Sequence, residues 1–141
     1  MSRAAIVEAA RNWIGTPYQH QASLRGVGAD CIGLVRGVWR DCIGAEPEIM
    51  PAYSPNWFET GGGDLLTLAM QRHFTQVPKQ AAQPGDVLIF CMRADAPAKH
   101  CAILSEPAKI IHAYWARAVT ETALVPWWQS RIAAAFSFPN F

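Results

Sequence analysis

Charge is what this sequence has least of. Only 16% of its 141 residues are Asp, Glu, Lys or Arg, against about 25% in a typical soluble domain. The formal net charge of +1 supplies no long-range field, and no basic run supplies a local one, so nucleic acid is not an expected partner. No stretch reaches the ~18 apolar residues that a bilayer span requires, and Ser2, Arg3 and the amphipathic pattern after them do not make a signal-peptide hydrophobic region. Membrane insertion is therefore not expected, and the chain is expected to be made in the cytoplasm. C-x-x-C spacing is missing too. Cys31, Cys42, Cys91 and Cys101 stand singly, which favours neither a zinc cage nor a disulfide framework, and neither metal nor cofactor is expected. They read as one reactive thiol and three buried small hydrophobes. Internal repeats and low-complexity tracts are absent, and the length suits a single domain, 1–141, with a real core. Aromatics, in contrast, are plentiful, with six Trp and six Phe. They serve either a compact core with a few exposed rings or a surface that meets a partner protein.

The stretch Gly28-Ala29-Asp30-Cys31-Ile32-Gly33-Leu34-Val35 puts one cysteine where an apolar, helix-periodic run begins. A helix N-terminus aims unpaired N–H groups and positive partial charge at whatever sits there, stabilising a thiolate and an oxyanion alike. Ahead of it, Ile6, Ala9, Ala10 and Trp13 recur at helical spacing over about 2–13, and Gly15 with Pro17 stops that helix. Residues 15–29 read as a shaped loop holding Tyr18, His20 and Gln21. Leu34, Val35, Val38, Trp39 and Cys42 then share one face, so a second helix over about 31–42 is anchored in the core, with Cys31 at its exposed first turn. Residues 45–63, with Pro47, Pro51, Pro55 and three consecutive glycines, read as a long loop that Tyr53, Trp57 and Phe58 pin to the body. Asp64 is the expected cap of a third helix running to about His73, with Leu65, Leu68 and Ala69 inward.

After Pro84-Gly85 the pattern turns to strands, at 86–91, 100–104, 109–114 and about 118–123. A short helical turn begins at Pro126, and a last strand covers 133–138. Helices first and an antiparallel sheet second is the order of an α+β domain.

Cysteine nucleophiles need a base within hydrogen-bond reach and a third group that fixes the base's ring. His100, at the start of a strand, is the expected base. If the hairpin turns near Glu106 and Pro107, residue numbers that sum to about 213 pair, which sets His100 opposite Ala113 and beside His112. His112 is then the expected orienting residue, although one step of register reverses its side chain. Asp30 suits a helix cap, and should point away from a thiolate whose pKa it would raise. His20 and Gln21 are bystanders, and His73 is structural or solvated.

At these residues a family resemblance emerges. Gly15-Thr16-Pro17-Tyr18, then Asp30 to Val35, Pro84 to Phe90, Lys99 to Leu104, and Ile111-His112-Ala113 resemble, in order, the blocks of the NlpC family of papain-like cell-wall cysteine peptidases. Residues 15–21, Arg36 to Arg40 and Trp127-Trp128 are similar to the variant encoded with phage tails and gene transfer agents. The resemblance implies a papain-like α+β fold, with the cysteine helix packed on the sheet that bears His100 and His112. It implies hydrolysis of peptidoglycan stem peptides beside D-glutamate and a diamino acid. It also implies tail-tip or baseplate hub proteins as partners, and a tail-like particle acting in the periplasm of a target cell. Cys31 would attack the amide carbonyl, His100 would take and return the proton, and His112 would hold His100. Tyr18 would stand beside the oxyanion site, and Asp30 would line a substrate subsite. Ile32 stands where many members carry serine, so substrate preference is expected to be set around Asp30 and Ile32.

Overall fold

The computed structural model describes residues 2–47 and 65–139. The expected loop beyond residue 47, its pinning by Tyr53, Trp57 and Phe58, and the Asp64 cap lie outside the described residues. Helix α1 (Arg3–Arg11) starts where the Ser2 side chain accepts the Ala5 N–H at 3.1 Å, an N-cap that satisfies one of the helix's orphan donors. Its stripe of Ile6, Ala9, Ala10 and then Trp13 is buried. Gly15 ends this region at φ +93, a conformation an L side chain adopts only with strain.

The loop that follows holds a two-stranded hairpin, β1 (Ser23–Leu24) and β2 (Gly28–Ala29), which delivers the chain to helix α2 (Cys31–Cys42). Leu34 and Val38 of α2 are fully buried, and Val35 and Trp39 nearly so. The two helices cross closely at Gly37, where a Cβ would stand 2.0 Å from the Trp13 ring.

Helix α3 (Leu65–His73) turns a different face inward from the one expected. Leu66 and Met70 are buried, whereas Leu65 and Leu68 are 41% and 50% exposed. Two apolar stripes compete on this short helix. Packing against Trp39 and Phe74, whose rings meet edge-on at 5.3 Å, goes with the stripe that periodicity alone ranks second.

The remaining chain forms β3 (Thr75–Val77), β4 (Asp86–Phe90), β5 (His100–Glu106), β6 (Lys109–His112), β7 (Thr120–Ala123), a four-residue helix α4 (Pro126–Gln129) and β8 (Ile132–Ser137). Six of these strands make an antiparallel sheet in the order β3-β8-β4-β5-β6-β7. Val87, Ile89, Cys101, Ile103, Ile111 and Phe136 pack in one apolar cluster with α1 and α2. Leu88, Phe90, Ala102, Leu104, Ile110 and Ala135 form the other face, which Leu124, Trp128 and Ile132 help to cover. Covering both faces explains why β4 reads as a continuous apolar run rather than an alternating one. The element order is that of an α+β fold.

A buried polar tie locks α1 to the sheet. Asp86, 1% exposed, pairs with the Arg3 guanidinium and accepts the Ser137 hydroxyl at 2.7 Å and the Gln83 N–H at 2.9 Å. Asp86→Ala strips three donors of their acceptor, and is expected to lower the unfolding free energy by about 3 kcal/mol. The check is the denaturant midpoint, which should fall at unchanged m value.

Candidate active site

The entry to α2 is built by the Asp30 side chain. In extended backbone (φ -101, ψ -172), Asp30 accepts the Gly33 N–H on Oδ1 at 2.7 Å and the Gln21 N–H on Oδ2 at 2.8 Å. The first bond caps the helix and the second pins the preceding loop to it. Ser23 Oγ donates to the Gly33 carbonyl at 2.6 Å, holding the same loop from the other side. Asp30 is 3% exposed and Ile32 is 7% exposed within the apolar cluster. The pair expected to set substrate preference therefore lies buried: Asp30 is engaged by backbone donors, and Ile32 lines a cavity of about 70 Å³ with Val35, Leu66, Met70 and Cys101.

Cys31, the first residue of α2, is half-buried, rather than on the exposed turn that periodicity predicts. The nearby Cys101 thiol and His100 ring favour its charged form, and the His100 charge adds to this. Together they outweigh burial and hold the Cys31 thiol well below its ordinary range, at about 5. Cys101 is 1% exposed, and its sulfur also lies 3.3 Å from the Cys31 carbonyl oxygen, to which it donates. Beside the Cys31 thiolate, and buried, the Cys101 thiol is pushed up and stays protonated. Sequence periodicity counts Cys101 as core filling, and only the crossing of α2 over β5 reveals its contact with Cys31. Cys101→Ala is expected to move the midpoint of Cys31 alkylation upward by about one pH unit, because the polar thiol beside the thiolate is lost. Iodoacetamide labelling of Cys31 as a function of pH measures it, and an unmoved midpoint would contradict the assignment.

His100 and His112 meet directly. His100 Nε2 lies 2.8 Å from His112 Nδ1, and His112 Nε2 lies 3.2 Å from Thr122 Oγ1. Both histidines are about 5% exposed. Burial, helped by the His100 charge, holds His112 down at about 3, so it is neutral at ordinary pH. Trp128 packs on both rings, at 5.0 Å from His100 and 5.3 Å from His112.

The strand register differs from the expected one by a single step. Ile103 pairs with Ile111 and Leu104 with Ile110, and the ladder shifts between Leu104 and Glu106. Continued along the strands, this register sets His112 opposite Ala102, on the face that His100 shares. The pairing expected from the turn would have put the two rings on opposite faces. The turn falls one residue later, at Pro107-Ala108 with Glu106 opposite Lys109, and the irregularity beside it slips the ladder by one step and brings the rings to one face.

Tyr18 bridges to Ala29 and meets Trp115 edge-on at 5.6 Å. Burial, with the negative charges of Asp30 and Cys31 nearby, pushes its hydroxyl up to about 12, so the group remains a proton donor. His20 Nδ1 stands 4.0 Å from Asp30 Oδ2. His73, at the end of α3, lines the small cavity beside Ile32. The described residues thus bring Cys31, His100, His112 and Tyr18 together, leave Asp30 as the brace beneath them, and add Cys101, Thr122 and Trp128.

Known proteins of the same shape exist. No curated protein sequence matches the chain. Among solved structures, it is similar to the NlpC/p60 domain of the peptidoglycan hydrolase SagA, with 24% identity, a TM-score of 0.67, and coverage of 98% of this chain and 100% of that one. An NlpC/P60 family protein from Bacillus cereus superposes with a TM-score of 0.71 at 20% identity, over 99% of this chain but 41% of its own length. RipD of Mycobacterium tuberculosis, described as a non-catalytic NlpC/p60 domain protein adapted to peptidoglycan binding, is 12% identical over 99% of both chains, with a TM-score of 0.59. The sequence pattern of the NlpC/P60 family matches residues 15–136, a span that runs from the loop before Tyr18 into β8. By that match, and by a fold that sets a capped cysteine helix against a histidine-bearing antiparallel sheet, the chain belongs to the NlpC/P60 family.

Proposed function

We propose that the chain is a cysteine endopeptidase that hydrolyses peptidoglycan stem peptides, beside D-glutamate and a diamino acid, and opens the cell wall for a phage-tail-like or gene-transfer-agent particle. The observation that carries the enzymatic reading is the His100–His112 pair, its ring nitrogens 2.8 Å apart, beside a Cys31 thiol that His100 helps to hold low. His112 occupies His100 Nε2, which leaves Nδ1 for the thiol proton. The resulting thiolate attacks the amide carbonyl carbon. The negative oxygen that forms is met by the Cys31 N–H at the helix start and by the protonated Tyr18 hydroxyl. His100 then gives its proton to the departing amine as the C–N bond breaks, leaving a thioester on Cys31. Water, losing a proton to His100, attacks that thioester and releases the carboxylic acid, and the proton returns to the Cys31–His100 pair. His112, neutral, accepts from His100 Nε2 without competing for its charge. Asp30 serves in this scheme as the brace of the nucleophile's helix.

Support for the particle comes from the similarity of residues 15–21, 36–40 and 127–128 to the tail-associated variant. The exposed rings of Trp115 and Trp127 on a weakly charged chain suit contact with a tail-tip or baseplate hub protein. In this reading the protein is made in the cytoplasm and acts in the periplasm of the target cell. A second reading, a wall-binding module without activity, draws on the likeness to RipD.

Digestion of purified muropeptides separates the two. Mass spectrometry of the products should show a gain of one water per cleaved bond between D-glutamate and the diamino acid. Retention of the muropeptides on immobilised protein, with no change in their mass, would overturn the enzymatic reading.

A further inference from the structure

Beyond the three residues of the reaction, the contacts continue to Thr122 of β7, a side chain that no feature of the sequence singles out. Thr122 pairs with Ile110 in the β6–β7 ladder, while His112 pairs with Thr120. Thr122 and His112 therefore stand diagonally on one face of the sheet, and Thr122 Oγ1 lies 3.2 Å from His112 Nε2. We propose that Thr122 is a positioning residue: its hydroxyl selects the His112 tautomer that lets His100 work as a base.

His112 is neutral and buried, so it carries one ring proton, on Nδ1 or on Nε2. The two placements are not equivalent. With the proton on Nε2, His112 donates to Thr122 Oγ1, and its bare Nδ1 accepts from His100 Nε2–H, across 2.8 Å. His100 Nδ1 is then free to receive the thiol proton, and the imidazolium that forms keeps its partner. With the proton on Nδ1, His112 faces the Nε2–H of that imidazolium with a second N–H, and the pair repel. A hydroxyl both donates and accepts, so it does not itself forbid the wrong tautomer. The charge that develops on His100 does, provided His112 Nε2–H has somewhere to go. In the buried setting of His112, an Nε2–H without an acceptor would cost about 1–3 kcal/mol. Thr122 supplies that acceptor, and its branched Cβ restricts the hydroxyl to few rotamers.

This inference rests on the enzymatic reading of Cys31 and His100, but part of its test does not. Thr122→Val keeps the shape and removes the acceptor, and Thr122→Ser keeps a hydroxyl. Nitrogen-15 NMR of the histidine rings, on folded protein without substrate, should find the His112 proton on Nε2 in the wild type and in Thr122→Ser, and shifted toward Nδ1 in Thr122→Val. Cys31 alkylation by iodoacetamide should become about tenfold slower near pH 6 in Thr122→Val alone. On muropeptides, kcat should fall about tenfold in the valine variant with KM unchanged, and serine should restore it. If Thr122→Val leaves both the His112 tautomer and the alkylation profile as in the wild type, the proposal is wrong, whatever the muropeptides show. If those two readouts move and muropeptides are not cleaved by the wild type, Thr122 keeps its role and the peptidase reading fails instead.

Discussion

Cys31→Ala is expected to reduce stem-peptide hydrolysis at least about 10⁴-fold while leaving the fold in place. The neighbouring Cys101 thiol is buried and held protonated, so it does not replace the Cys31 thiolate, and removing one member of a residue set that acts as a unit costs nearly as much as removing the whole set. Cys31 is half-buried at the first position of α2, and the cap that starts the helix belongs to Asp30, so alanine there disturbs little. The denaturation midpoint serves as the control, and the rate of product release as the readout. The pH profile adds a signature. With the thiol held at about 5, the thiolate is present above that pH and lost below it. The alkylation rate of the wild type should therefore fall through a midpoint near 5, far below the ~8.5 of a free cysteine. Product formation by Cys31→Ala at the wild-type rate would remove this residue from the mechanism.

Gly33→Ala is expected to be the most damaging small substitution in the described chain. A Cβ at Gly33 would stand 1.9 Å from the Ala22 carbonyl oxygen and 3.1 Å from Asp30 Oδ1, and the first obstacle is backbone. That same carbonyl accepts the Asp30 N–H at 3.4 Å, so moving it aside releases the loop that Asp30 ties to the helix. Overpacking against backbone, combined with loss of the cap, should cost more than about 3 kcal/mol. The low thiol pKa should go with it, since the helix start would no longer be fixed. Gly28→Ala is the comparison. Its Cβ would stand 2.4 Å from Gln19 Oε1, which can turn away, and 2.8 Å from Gln19 Cβ, which moves only with its backbone, so the obstacle is smaller than at Gly33. Denaturant melts of the two variants should differ by about 2 kcal/mol or more, and a wild-type midpoint for Gly33→Ala would show that the loop does not constrain the helix start.

What the sequence discloses and what it withholds follow from the range of the forces involved. The start of α2 is legible because its causes are neighbours: a capping aspartate, a glycine three residues on, and an apolar stripe at helical spacing all lie within one short stretch. The β5–β6 hairpin is legible in outline for the same reason. Its register is not, because the turn falls one residue past its expected place and the irregularity between Leu104 and Glu106 slips the ladder by one step, and no residue preference announces either. Long-range contacts leave weaker marks. The three-residue β3 pairs with β8 some sixty positions later, and nothing local in Thr75–Val77 demands a partner. The buried face of α3 is chosen by Trp39 and Phe74 rather than by its own pattern. Cys101 reads correctly as buried, but what it faces depends on how a helix crosses a strand. Thr122 reads as any threonine in a strand.

The placement of β8 bears on the order in which the molecule can be assembled during its own synthesis. This strand, at residues 132–137, is inserted between β3 and β4, so it completes the sheet from the inside. Until it arrives, β4 shows an unpaired apolar edge, and β3 has no strand to pair with. The helices and the hairpin bearing the two histidines can form as the chain emerges, but the sheet beneath them cannot close until about residue 137 is free. Such late, non-local pairing is slow and exposes a sticky edge meanwhile. A wall-cutting activity on this frame would stay silent in the nascent chain and begin only once synthesis has passed His112 by about 25 residues.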